Sequence, residues 1–132
     1  MNDRVADNVV RIPTTLDSNF FRYWFEFLKP FHDLTPRETD IITAYVYKRY
    51  ELSKVIHDDD ILNQVLMNKS TREEIEKDCE ISKSFLSVIL YSLRRKGLLT
   101  KDGINPRFIP NIKEDDKGSF KLMLYFDFTD EL

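Results

Sequence analysis

Few residues in this chain of 132 could do covalent or metal chemistry, and they are scattered. Cys79 is the single cysteine, which excludes an internal disulfide, and His32 and His57 give it no clustered ligand set for zinc. A thiol nucleophile is one reading of Cys79; a small apolar residue at a helix end is the favoured one. Three adjacent aspartates, Asp58 to Asp60, invite calcium, but no glycine follows at the turn position and no glutamate closes the loop, so a charged helix start fits better. With no glycine-rich phosphate loop and no Ser-His-Asp spacing, the pattern points away from an enzyme, and no cofactor is expected.

The chemistry that remains is electrostatic. Residues 80 to 101 carry Lys83, Arg94, Arg95, Lys96 and Lys101 against Glu80 alone, whereas residues 71 to 80 carry Arg72 and Lys77 against Glu73, Glu74, Glu76, Asp78 and Glu80. Charge is thus sorted along a chain whose net value is -3, an awkward overall sign for a binder of polyanions. With 42% hydrophobic and 33% charged residues, three glycines and five prolines, the composition is that of one globular domain. No window approaches the roughly 18 apolar residues of a membrane span, which predicts a soluble, intracellular, cytoplasmic protein with no membrane partner.

These side chains need elements to position them. Residues 1–17 lack helical period and contain Pro13, which predicts an extended arm. SNFFRYWFEFLKPF predicts a helix capped by Ser18 or Asn19 and ended or kinked at Pro30. Its apolar arc, with Phe20, Phe21, Trp24, Phe25 and Phe27, is wider than one core face requires; either the helix is sandwiched within the fold or one face goes to a second subunit. In LTPRETDIITAYVYKRYEL, Thr35, Pro36 and Glu38 form a capping-box start for a helix to about Tyr50 that buries Ile41, Ile42, Tyr45 and Val46. Asp58 or Asp59 caps a short helix through Ile61, Leu62, Val65 and Leu66.

STREEIEKDCEISKSFLSVILYSLRRKGLL then predicts two helices joined by a tight turn, the first capped by Ser70 or Thr71, the second by Ser82, with Gly97 at the exit. Ile75, Cys79, Ile81, Leu86, Ile89, Leu90, Leu93 and Leu98 are its interlocking apolar set. KDGINPRFIPNI and SFKLMLYFDF change to a strand period and predict a hairpin with a polar turn at 113–119. The predicted fold class is therefore mainly α with a small β-hairpin (α+β).

The order of elements, and the stretch TREEIEKDCEISKSFLSVILYSLRRKGLL in particular, resembles the "T-x-x-E-I-A … I-S-x-S-x-V-S-x-x-L-x-x-L-x-x-K-G-L-I" pattern of MarR-like and related winged-helix regulators. The likeness runs from about Leu34 to Phe128 and is most specific over 70–99; the N-terminal aromatic helix matches only loosely. It implies a winged helix-turn-helix with an extra N-terminal helix and extended arm: arm 1–17, one domain 18–132, helix-turn-helix 70–97 and wing 103–128. It also implies double-stranded DNA as partner. Ser70, Thr71 and Arg72 would then approach backbone phosphate, and Lys83, Ser84, Phe85, Ser87, Val88 and Tyr91 would face the major groove. Arg94 and Arg95 would lie near phosphates, Lys113 and Lys117 at the wing, and Arg107 at its base.

The chain departs from that pattern where bases are read. Val88 and Tyr91 occupy positions where bidentate Arg, Lys, Asn or Gln side chains are common, and the predicted wing tip reads Lys-Glu-Asp-Asp-Lys, which phosphates repel. Residues 55–69 also lengthen the path into the motif. Two readings result. One is a non-enzymatic DNA-binding regulator of transcription or replication, dimeric through the aromatic helix, with mainly phosphate contacts. The other is a winged helix used as an assembly module, in which Phe85 and Val88, joined by Phe20, Phe21, Trp24, Phe25 and Phe27, dock a partner in a replication complex or a phage virion. A third arrangement would leave little of that stripe exposed, with Tyr91 over the wing and Phe85 tucked into the turn.

Overall fold

In a computed structural model, residues 9–113 and 118–130 are described. The chain is mainly helical with one small antiparallel sheet, an α+β arrangement: α1 (Ser18–Phe27), α2 (Pro36–Ser53), α3 (Asp59–Leu66), α4 (Lys69–Asp78), α5 (Lys83–Arg95), β1 (Leu99–Thr100) and β2 (Gly103–Ile104). Short 3-10 turns occupy Lys29–Phe31 and Pro106–Phe108.

Helix α1 starts one residue earlier than expected: the Asp17 carboxylate, rather than Ser18 or Asn19, accepts from the Asn19 amide at 2.9 Å. Pro30 has no amide hydrogen to continue the helix, so the chain tightens into a 3-10 turn, and the His32 ring bonds the Phe25 carbonyl at 2.8 Å. Phe21, Trp24 and Phe25 recur at helical spacing on the face turned inward and are buried. The sandwiched reading of α1 is therefore the right one for these three side chains, and their assignment to a partner interface is corrected: the chain's own core covers them. The Trp24 indole donates to the Phe108 carbonyl at 2.8 Å, which satisfies its N–H where water is excluded. Phe20 is half-buried, while Tyr23 and Phe27 remain on the outside.

Helix α2 opens with the expected capping box. Thr35 and Glu38 exchange reciprocal bonds, and Pro36 sits at the first helical position. Its inward side, Ile41, Ile42, Tyr45 and Val46, forms the centre of the core with Phe21, Phe25, Leu66, Leu86, Leu90 and Leu93. Asp58 caps α3, whose Leu62 and Leu66 are fully buried. Gly103 sits against α3 with φ +145, where an added Cβ would lie 3.1 Å from the Asn63 amide oxygen; glycine is needed both for the backbone angle and for the approach.

The cap of α4 is Asn68, whose side chain accepts from the Thr71 amide at 2.8 Å, so the expectation of Ser70 or Thr71 as cap is corrected. Thr71 is instead buried, and its hydroxyl donates to the Val65 carbonyl at 2.8 Å, stitching α4 to α3. Residues 79–82 turn the chain into α5. Within that turn Ile81 donates to the Glu76 carbonyl at 3.0 Å, which forces Glu80 to φ 52, a left-handed conformation glycine would adopt more easily. Ser82 caps α5 as expected, and Gly97 ends it at φ 85, with Leu98 donating to the Leu93 carbonyl at 3.0 Å.

The hairpin is displaced from its predicted position. Leu99 pairs with Ile104 and Thr100 with Gly103 around the two-residue turn Lys101–Asp102, directly after α5. Residues 105–112 do not continue a strand because Pro106 and Pro110 have no amide hydrogen to donate to a ladder, and Asn105 caps a 3-10 turn instead. The segment Phe120–Phe128 takes part in no sheet among the described residues. The expected turn at 113–119 falls partly on residues 114–117, outside the described residues, as do residues 1–8 of the expected arm; residues 9–15 of that arm belong to no helix or strand, a turn follows at 16–17, and residues 9–16 are exposed.

Candidate functional site

Helix α5 carries the residues with most to offer a ligand. Leu86, Ile89, Leu90 and Leu93 anchor one side in the core, so Lys83, Ser84, Phe85, Ser87, Val88, Tyr91, Arg94 and Arg95 share the outward side. That side contains no acid; its hydroxyls and cations lie at the two ends and along one edge. Phe85, Val88 and Tyr91 recur every third residue and are 47%, 61% and 61% exposed. The arrangement in which Tyr91 is covered by a wing and Phe85 tucked into the turn is therefore not adopted. The Arg95 guanidinium lies 5.9 Å from the Tyr91 ring centroid, a cation over an aromatic face.

Not every expected contact residue is available. Arg72 spans from α4 to α5, bonding the Ser87 hydroxyl and, at 3.5 Å, the Lys83 carbonyl, with Glu76 3.9 Å away. Ser87 is also turned back on its own helix, donating to the Lys83 carbonyl at 3.1 Å. Arg72 thus clamps the two helices, and the buried Thr71 faces inward, so neither stands where a phosphate would sit; both assignments are corrected. Ser70, by contrast, is exposed at the start of α4. Arg107 is exposed on the Pro106–Phe108 turn, with its backbone amide bound to Asn105, and Lys113 is exposed. Lys117 lies outside the described residues.

The cations are divided by a second network. Lys96 donates to the Glu38 carboxylate at 2.7 Å and to the Asp33 carbonyl at 2.5 Å, while Glu38 also accepts from the Thr35 amide at 2.9 Å and from the Ser92 hydroxyl. Burial alone would raise the Glu38 pKa, but the bonds from Lys96, Ser92 and the Thr35 backbone outweigh it and hold the carboxyl at about 2. Lys96 is therefore spent on locking the end of α5 to the start of α2. Lys83, Arg94, Arg95 and Lys101 form no ion pair among the described residues.

Lys101 was missed as a contact residue in the sequence because the hairpin was expected further on. It stands at the hairpin tip, and Asn105 fixes that hairpin to α5 by donating to the Gly97 carbonyl at 2.9 Å. Arg37 was missed too: it donates to the Cys79 carbonyl at 2.7 Å and the Glu80 carbonyl at 3.3 Å, holding the turn between α4 and α5. Its partners lie some forty residues away, and no local signal marks them. Burial pushes the Cys79 thiol up from its ordinary value, though Arg37 pulls the other way, so Cys79 is a poor nucleophile. Among the described residues no cluster of His, Cys, Asp and Glu could hold a metal ion, and no helix is long and apolar enough to cross a membrane.

Comparison of the chain with protein-family models, with curated proteins and with solved structures gives no match.

Proposed function

We propose that this chain is a non-enzymatic winged-helix DNA-binding protein, a regulator of transcription or replication that presents α5 to the major groove and draws its affinity mainly from phosphate. The observation that carries the reading is the outward side of α5, where cations flank the helix at both ends and no acid intervenes. From Lys83 to Arg95 the helix rises about 18 Å at 1.5 Å per residue. A major groove is about 12 Å wide, so cations at the two ends reach phosphates on either side of it while the middle lies over base edges. There Val88 and Tyr91 offer a methyl contact and a ring but no bidentate pair, so discrimination between sequences is small. Lys101, at the hairpin tip beside the end of α5, adds one more cation to the same footprint.

The test is a titration of random-sequence duplex at a series of salt concentrations. Each phosphate contact contributes about 0.9 to the slope of log affinity against log salt, so Arg94→Ala plus Arg95→Ala lowers the slope by about 2. Tight binding unmoved by that double change would overturn the orientation.

A second reading, in which α5 is an assembly surface, is favoured by the same exposed stripe of Phe85, Val88 and Tyr91. Val88→Arg separates the two: it strengthens DNA binding if phosphate or base edges lie opposite, and abolishes docking if an apolar partner does.

A further inference from the structure

We propose that residues 120–128 are a dimerisation strand, and that two copies of this chain pair these segments antiparallel in the register centred on Leu124. The stretch FKLMLYFDF alternates as a strand does, yet it belongs to no ladder of the described residues. A segment of this composition with no strand partner among the described residues is a template for another strand, and its own sequence fits it best.

Pairing about a two-fold axis at Leu124 sets each residue opposite the one equally far on the other side. Lys121 then faces Asp127 of the second copy, twice over by symmetry; Phe120 faces Phe128, Leu122 faces Phe126, and Met123 faces Tyr125. Directly opposite side chains in such a pair stand about 5 Å apart, within reach of an ion pair. Other registers lose this match. Centring on Met123 puts Lys121 opposite Tyr125 and Asp127 opposite Ser119, and centring on Tyr125 puts Asp127 opposite Met123. A slip of one residue sets the apolar side of one strand against the mixed side of the other.

Exposure along the segment fits the same arrangement. Leu122 and Leu124 are 41% and 51% exposed, against 70% and 75% for Met123 and Tyr125, so the side with Phe120 leans on its own body. Phe120 is wedged edge-on against Phe20 at 5.2 Å and Trp24 at 5.9 Å between ring centroids. Further on the strand leaves that body, and Phe126 and Phe128 are 79% and 98% exposed. In the Leu124 register Phe128 comes to lie beside Phe120 of the second copy, so each tail end covers the aromatic cluster of the other body. Two copies thereby cover Phe126 and Phe128 and pair Met123 with Tyr125 within an exposed apolar run of the described residues. This inference does not depend on the DNA-binding reading, and neither falls with the other.

Charge exchange tests both the dimer and its register. Mass is measured by light scattering on the full chain at micromolar concentration, with circular dichroism to confirm that the variants, all at exposed positions, remain folded. The wild type is expected as a dimer, Lys121→Asp and Asp127→Lys as monomers, and the double variant carrying both changes as a dimer again. In a Cys79→Ala background, Leu124→Cys cross-links two copies on oxidation, whereas Met123→Cys does not, because in this register its copies stand diagonally about 7 Å apart or more. A monomeric wild type, single variants that remain dimers, or a double variant that stays monomeric would each overturn the proposal.

Discussion

Replacing Glu38 by Gln keeps the shape of the side chain and its bond from the Thr35 amide but removes the charge that Lys96 and Ser92 serve. Glu38 is 6% exposed, so little solvent screens the loss. Its carboxyl is held at about 2 against an ordinary 4.5. At 1.36 kcal/mol per pKa unit, that difference corresponds to about 3 kcal/mol of folding stability near neutral pH. The folded pKa is depressed, so the contribution is fully present above about pH 4.5 and is lost as pH falls from there towards about 2. The assay is urea denaturation followed by the fluorescence of Trp24, the single tryptophan, which is buried and bonded to Phe108. Glu38→Gln is expected to unfold about 2–3 kcal/mol more easily than wild type at neutral pH, below the roughly 3–5 kcal/mol of breaking a fully buried charged pair because the Lys96 side chain is 28% exposed. The gap should close as the acid limb is descended, because the wild type loses its charge there too. A gap that stays constant down to strong acid, or one below about 0.5 kcal/mol, the usual scale of a surface substitution, would refute the reasoning.

Three further substitutions test the supporting parts. Glu80→Gly relieves the left-handed backbone at φ 52 and is expected to raise stability by about 0.5–1 kcal/mol after the added freedom of glycine in the unfolded chain is set against the strain, as chemical denaturation can show. Gly103→Ala forces a Cβ to 3.1 Å from Asn63 at φ +145 and should cost about 1–3 kcal/mol in the same assay. Thr71→Val removes the bond to the Val65 carbonyl, costing about 1 kcal/mol of stability. Because Thr71 faces inward, that change should leave the salt slope of DNA binding untouched, whereas Arg94→Ala lowers it.

Much of the helical framework was legible because its signals are local. The Thr35–Pro36–Glu38 start, Ser82 before α5, Gly97 after it and the apolar spacing from Ile75 to Leu98 each depend on residues a few positions apart. Caps one or two residues upstream, Asp17 and Asn68, were missed because several adjacent residues can all accept an amide bond and only the backbone angles decide which does. The hairpin was misplaced for a different reason. A strand period says that a segment suits a sheet, not which partner it finds; the two prolines remove donors from one run, and the other pairs with no strand among the described residues. The aromatic helix α1 could not be resolved from its pattern, since an arc wide enough for two faces leaves open what covers the second. The core covers Phe21, Trp24 and Phe25, Phe120 leans on Phe20, and Tyr23 and Phe27 remain exposed. On α5, the helical period puts Lys83, Phe85, Val88, Tyr91, Arg94 and Arg95 on the exposed side, but the diversion of Arg72 to Ser87 and of Lys96 to Glu38 rests on partners 15 and 58 positions away.

The most direct test of the central claim is the salt dependence of wild-type binding to random duplex. With Lys83, Arg94 and Arg95 each meeting a phosphate, log affinity should fall linearly with log salt at a slope of about -3 or steeper, with little change between duplex sequences. No binding at low salt, or binding whose strength is indifferent to salt, would contradict it.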